Sequence, residues 1–256
     1  MAEDSMNTEA VADAPASATP PSITLYQFAP AFGIPNPSPF CLKLETWLRM
    51  AELEYVNKIT PDPRKAPLGK LPMIEIDGEK VADSQCAIEH LQKVRNVQLN
   101  TQLNSVERGR ALALTRMLEE HSYWALIYFR WLDEDGWQQT REEFFGKLSP
   151  LMRAIATRAV RSKTARDARG HGLCLHSRDQ ILHRYNEDIN ALAANLGDRP
   201  YFGGYQPANI DAVAFGLLAN VLLASMHLPL TDITRQHANL VAYAQRMLEN
   251  YFPEYQ

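Results

Sequence analysis

An α/β domain followed by an all-α domain is the fold class this sequence predicts, on three observations. Short β-branched and aromatic runs alternate with helical patterns up to about residue 98, strand signals cease after Ser105, and Asp77-Gly78 separates two of the short runs. Asp-Gly between apolar runs is a strong hairpin signal, because a two-residue turn needs positive φ at both positions.

Residues 1–22 are acidic and rich in Ala, Ser, Thr and Pro. They lack the basic start and apolar centre of a secretory signal and read as a disordered tail. Ile23 to Phe28 then alternates as a strand does. A loop with four prolines and a glycine follows, Ala29 to Pro39. From Phe40 to Ala51, Leu44, Trp47, Leu48 and Ala51 fall at helical spacing, with Pro39 at the first turn, where its missing N–H costs nothing. Glu54 to Ile59 predicts a second strand, Met73 to Ile76 and Lys80 to Ala82 the two arms of the hairpin, and Gln85 to Val94 a helix. The order βαβ then ββα is the thioredoxin pattern, and it requires the first two strands to pair in parallel.

The thioredoxin-like domain is accordingly expected over residues 23–98, a polar linker over 99–104 and the all-α domain over 105–256. Helical periodicity in the second domain predicts five helices: Ser105 to Asp133, Thr140 to about Arg166, Ser177 to Leu196, Asn209 to about His227, and Arg235 to Tyr251. No internal repeat is visible.

Composition excludes several function classes. A net charge of -4 gives no basic footprint for nucleic acid or anionic lipid. The apolar stretch Ala212 to Leu230 is broken by Asn220, Ser225 and His227, so no membrane span is expected. Cys41, Cys86 and Cys174 are odd in number and widely spaced, which argues for a reducing, cytoplasmic setting rather than a disulfide framework.

The chemistry concentrates at Ser38-Pro39-Phe40-Cys41, where loop becomes helix. Free N–H groups and the positive end of the helix dipole there favour an anion such as a thiolate, to which the Ser38 hydroxyl can donate. Capping alone explains Ser38 equally well on spacing, with Cys41 a small buried residue. Gly69-Lys70-Leu71-Pro72 precedes the third strand; a cis bond at Pro72 would turn the main chain of Leu71 toward an extended peptide, while a strand-initiating proline is the plain alternative. Asp83-Ser84 opens the next helix, where hydroxyl and free N–H groups hold a carboxylate or simply cap.

Taken in this order and with this strand pattern, the three pieces resemble the glutathione transferase family, over residues 23 to 256. Met117-Leu118-Glu119-Glu120-His121-Ser122-Tyr123-Trp124-Ala125-Leu126, Leu196-Gly197-Asp198-Arg199-Pro200-Tyr201-Phe202, Asp211-Ala212-Val213-Ala214-Phe215-Gly216 and Tyr251-Phe252-Pro253-Glu254 are similar to its failed-axon-connections and metaxin-related branch, which includes bacterial members. The resemblance implies glutathione as cosubstrate, no metal, and a catalytic position at Ser38. It places the main-chain clamp for the cysteinyl part of glutathione on Leu71, beside Pro72, the γ-glutamyl site on Asp83 and Ser84, and the glycyl carboxylate near Lys70, which reads equally as a surface lysine. It also implies a homodimer. Two departures stand out: Ala208 replaces the Ser or Thr that begins the family's core helix, leaving Asn209 or Asp211 to cap it, and the Ala29–Pro37 loop is long and proline-rich.

His121, Trp124, Tyr128 and Trp131 fall on one helical face. The resemblance suggests an electrophile pocket there; an ordinary core stripe is the alternative. His171, Cys174 and His176 cluster beside a basic run, without the further Cys or carboxylate that a zinc site needs; Ser177 reads as the cap of the following helix, and the run as a solvated face or the lip of an anion-attracting cleft. The expected function is a glutathione-dependent transferase that activates the thiol for attack on a small hydrophobic electrophile. A non-catalytic binding or scaffold protein is the alternative, and a thiol-disulfide oxidoreductase using Cys41 a third reading, which requires an exposed low-pKa thiolate.

Overall fold

The structure, a computed structural model, describes residues 22–256; all of the expected N-terminal tail except Ser22 lies outside them. Four strands, β1 (Ile23–Gln27), β2 (Tyr55–Ile59), β3 (Met73–Ile76) and β4 (Glu79–Ala82), form one sheet in the order β2-β1-β3-β4. β1 pairs in parallel with β2, Ile23 opposite Tyr55, and antiparallel with β3. The crossover from β1 to β2 is α1 (Pro39–Met50), and α2 (Ser84–Arg95) follows β4. Asp77 and Gly78 both have positive φ, as the hairpin turn demands. This is the thioredoxin-like arrangement, and every element after α2 among the described residues is a helix.

The helical half starts as one continuous rod over residues 105–132. It is α3 (Ser105–Arg116), a π turn (Met117–Ser122), α4 (Tyr123–Ile127) and a second π turn (Tyr128–Leu132). Asn104 caps it in a reciprocal box with Glu107. The single helix expected from Thr140 to Arg166 is instead two, α5 (Glu134–Phe145) and α6 (Pro150–His171). Pro150 drives Ser149 into extended backbone (ψ 152°) and so ends the first before the second begins. Next comes α7 (Arg178–Leu196), capped by Ser177.

The helix expected from Asn209 to His227 ends earlier. α8 (Asn209–Leu218) passes into a π turn (Ala219–Leu223), and Ala224 is extended, because the Ser225 N–H leaves the helix to donate to Phe32 O at 2.8 Å. Pro229 then starts a short α9 (Pro229–Arg235), so the last helix, α10 (Ala238–Tyr251), begins three residues later than expected.

Asp211, fully buried, accepts from the N–H groups of Phe202, Gly203 and Ala208 at 2.7–3.0 Å. Burial pushes its pKa up to about 6 against the pull of those donors. Asn209 turns elsewhere: its Oδ1 accepts from Trp47 Nε1 on α1 at 2.9 Å.

α1 and α8 are the seam between the halves, and their buried apolar faces belong to one continuous core that runs from Ile23 and Leu25 through Trp47 to Phe215 and Phe252. Gly216 sets how closely they approach. A Cβ there would fall 2.5 Å from Pro39 O, inside any real contact. Gly216→Ala is therefore expected to push the start of α1 outward and lower stability by about 1–3 kcal/mol, as overpacking does. Gly109→Ala, whose Cβ meets open space within α3, should instead be neutral or stabilising. Comparing the thermal midpoints of the two variants checks this.

Candidate functional site

Ser38 is the N-cap of α1, with Pro39 as the first helical residue. Its Oγ accepts from Cys41 N at 3.4 Å, a long cap bond, and its own N–H donates to Asn36 Oδ1 at 3.0 Å. Asn36 is buried between two prolines; its Nδ2 donates to Phe28 O and to Gln27 Oε1. Gln27 Nε2 in turn donates to Glu45 Oε2 at 2.6 Å, and Glu45 also accepts from Tyr55 OH and Arg49. A buried polar chain thus fixes the backbone at Ser38 while leaving its hydroxyl half-buried at the helix start.

Cys41 is fully buried against Ala66, Leu71 and Met73, with Tyr26 and Phe28 at the margin. Burial pushes its thiol up to about 12, only partly opposed by the Ser38 hydroxyl. The redox reading needed an exposed, low-pKa thiolate at Cys41 and finds the reverse. The same packing brings Leu71 against Cys41, in the first turn of α1. The Leu71–Pro72 peptide is cis, and the ladder of β3 begins only at Met73, which leaves Leu71 outside the sheet pairing. Pro72 is buried and Lys70 is exposed.

At the start of α2, Asp83 holds φ +76°, a conformation that a non-glycine residue adopts at a cost of order 1–3 kcal/mol. Its Oδ1 accepts from Gln85 N and Cys86 N, and Ser84 beside it is buried. Gln85 Oε1 accepts from Lys43 Nζ at 3.0 Å, tying this helix start to α1.

Lys43 is itself buried and paired with Glu119 of the first π turn at 2.7 Å. The two line a crevice with Pro39, Phe40, Leu118 and Tyr123, floored by Val213 and Leu217 of α8. Phe40 and Tyr123 meet edge to face, ring centroids 4.8 Å apart. Burial pushes the Tyr123 phenol up to about 12, so it stays a proton donor through the neutral range.

The helical face expected to supply an electrophile pocket does not reach this crevice as a set. His121 Nδ1 lies 2.6 Å from Asp188 Oδ2 of α7, which also accepts from Ser122 Oγ. Tyr128 packs on Phe129, and Trp131 stacks on Phe144. Trp124 alone adjoins the crevice, its ring 5.5 Å from Tyr123 and stacked on His171. The two π turns are the reason: each widens the helix by one residue per turn and rotates the following side chains away from a simple 3.6 spacing. Cys174 Sγ lies 3.7 Å from Trp124 O, and among the described residues no group of three His, Cys, Asp or Glu is arranged to hold a metal ion. Among the same residues, no helix is long and apolar enough to cross a membrane.

Residues that pattern reasoning missed are those whose partners lie far along the chain. Arg130, buried in the second π turn, donates to Pro37 O at 2.6 Å and to Asn220 Oδ1 at 3.0 Å. Asn220 Nδ2 donates to Asn36 O, and Glu143 Oε1 accepts from Phe32 N. With the Ser225 contact, four main-chain groups of the loop before Ser38 are held by the helical half. The one available signal was a lone arginine inside Leu126-Ile127-Tyr128-Phe129-Arg130-Trp131-Leu132, an otherwise uncharged run.

Residues 39–136 match the family profile described as glutathione S-transferase N-terminal domain, and residues 185–247 the one described as glutathione S-transferase, C-terminal domain. The chain is 32% identical over 238 residues to isoprene-epoxide–glutathione S-transferase of Rhodococcus sp. (strain AD45), covering 90% of this chain and 99% of that one. It is 31% identical over 245 residues to failed axon connections of Drosophila melanogaster, covering 91% of this chain but 59% of that longer protein. Human metaxin-2 is 25% identical over 74% of this chain and 72% of its own. Among solved structures, a beta-etherase from Sphingobium sp. strain SYK-6 superposes with a TM-score of 0.62 at 17% identity, over 91% of this chain and 99% of that one. A glutathione S-transferase of Ceriporiopsis subvermispora in complex with glutathione gives 0.60 at 16%, over 92% and 98%. These two likenesses concern the fold.

With a thiol pKa of about 12, the thiolate fraction of Cys41 at pH 8 is about one in ten thousand. Native protein treated with iodoacetamide at pH 8 is expected to label at the exposed Cys86 and to spare Cys41 until it is unfolded. Mass spectrometry of the labelled peptides checks this, and rapid native labelling of Cys41 would revive the redox reading.

Proposed function

The chain belongs to the glutathione S-transferase superfamily, in its failed-axon-connections and metaxin-like branch, and we propose that it is a glutathione-dependent transferase whose thiol-activating group is Ser38. The observation that supports the reading is the arrangement at the α1 start: a half-buried serine at a helix N-terminus, Leu71 packed against Cys41 in the first turn of that helix, and a crevice lined by Pro39 and Phe40. Glutathione would lie with its cysteinyl main chain against Leu71 and Pro72, its γ-glutamyl end at Asp83 and Ser84, and its glycyl carboxylate toward Lys70. The thiolate would accept from Ser38 Oγ and face the crevice, where Tyr123 and Phe40 receive a small hydrophobic electrophile. An epoxide is the first class to try, given the substrate in the name of the Rhodococcus relative. We also read the protein as a cytoplasmic homodimer, on its cysteine usage and family precedent.

The energies are adequate. Lowering a thiol pKa by about two units takes roughly 2.7 kcal/mol. A hydrogen bond to a charged group contributes about 1.5–3 kcal/mol and a helix N-terminus about 0.3–1 kcal/mol. A scaffold role has one observation in its favour: the Phe40–Tyr123 contact and the Lys43–Glu119 bridge leave the crevice narrow.

Ser38→Ala is expected to raise the pKa of bound glutathione by at least one unit and to cut conjugation of an epoxide or a chloronitrobenzene probe ten- to a hundredfold. Ser38→Thr, which keeps hydroxyl and cap, should retain most of the turnover. Calorimetric titration with thiolate absorbance across pH reads both. Wild-type protein that binds no glutathione at millimolar concentration would leave the scaffold role standing instead.

A further inference from the structure

Arg130 is a cation in an unusual position. It is 3% exposed, and its guanidinium makes hydrogen bonds only to neutral oxygens: Pro37 O, Asn220 O and Asn220 Oδ1. Its Nε, also buried, has no partner. No carboxylate among the described residues pairs with it, although the other buried cation in the fold, Lys43, has Glu119. Burying an arginine without a counter-ion is expensive; the three oxygens and the Phe32 ring, whose centroid lies 5.5 Å from the guanidinium carbon, offset part of that cost and leave the charge unneutralised.

The surroundings say where that anion would sit. Nη1 donates to the carbonyl of Pro37, and that peptide's nitrogen belongs to Ser38, so the charge stands one peptide unit behind the serine proposed to activate the thiol. Tyr123, from the crevice wall, is within its electrostatic reach, and Cys41 within that of Tyr123. Both of those groups are neutral at pH 7, their pKa values pushed up to about 12 by burial. Glu45, which faces Cys41 from α1, is bonded to Arg49, and Asp167, which faces Tyr123 from α6, is bonded to Lys163. Desolvation brings Arg130 down to about 10, which keeps it charged at pH 7. It is the uncompensated charge of the neighbourhood.

Resting on the glutathione-binding reading above, we propose that Arg130 supplies the counter-charge of the bound thiolate and positions Ser38 through the Pro37 carbonyl. It is a positioning residue contributed by the helical half, and it makes activation of the thiol depend on both halves of the chain. Ser38 supplies the direct hydrogen bond, and Arg130 the field and the fixed peptide behind it.

The test separates charge from scaffolding. Arg130→Gln, still able to donate to Pro37 O, is expected to raise the pKa of bound glutathione by at least one unit and to abolish proton release on binding at pH 7. Affinity for S-methylglutathione, which carries no thiolate, should change less than twofold. Arg130→Lys should retain most of the proton release. Where Arg130→Gln fails to fold, Asn220→Asp provides the second route: it places a carboxylate beside the intact guanidinium and should raise the thiol pKa in the same direction. An unchanged thiol pKa in a folded variant would overturn the proposal, as would an equal loss of affinity for glutathione and S-methylglutathione. Wild-type protein that takes up glutathione with no proton release, or not at all, would instead overturn the transferase reading itself.

Discussion

The loop between β1 and α1 carries no regular structure of its own, and the position of Ser38 depends on what holds that loop. A proline-rich segment gives up main-chain donors, so its stability must come from partners to its carbonyls. Those partners are Arg130, Asn220 and the Ser225 N–H, all from the helical half, together with Glu143 on the Phe32 amide. The polar chain from Asn36 through Gln27 to Glu45 secures the same loop from beneath. Clamped from both sides, the helix start presents a hydroxyl at a fixed place, and preorganisation of that kind is what lets one hydrogen bond count for so much.

What the sequence disclosed was local. Strand alternation, the Asp77-Gly78 turn, the proline at the head of α1 and the cap at Ser177 each involve residues within four positions of one another. The placement of Ser38, Leu71-Pro72 and Asp83-Ser84 at element boundaries was legible for the same reason, since boundary signals are short-range. Failures came where a distant contact overrode a local pattern. Apolar periodicity runs on to His227, but Ser225 leaves the helix to meet Phe32, almost two hundred residues away in sequence. Pro150 was a readable breaker, and the periodicity on both sides of it was strong enough to mask it. The π turns are the deeper obstacle, because a face drawn at 3.6 residues per turn loses its phase at each one. That is why Leu118, Glu119 and Tyr123, rather than His121 and Tyr128, border the crevice.

The branch to which the chain belongs contains proteins named for transferase activity and proteins named for other roles, and the structure suggests how one fold serves both. Elements that hold Ser38 also hold α1 and α8 together, so they would persist under selection for stability alone. On the proposed reading, the elements that would distinguish a working enzyme are narrower: the charge of Arg130, the Ser38 hydroxyl and the width of the crevice beside Phe40. Losing any of these would leave the fold intact.

Gly216 carries a further implication for how such chains diverge. Because its missing side chain lets α8 lie directly on the main chain of Pro39, the two halves share a backbone-to-backbone joint rather than a cushion of interchangeable side chains. Side-chain interfaces drift by compensating substitutions; a joint made of main chain offers nothing to compensate with. A helical half exchanged for that of a distant relative would have to match this joint to a few tenths of an ångström, so the halves are expected to be inherited together as one unit.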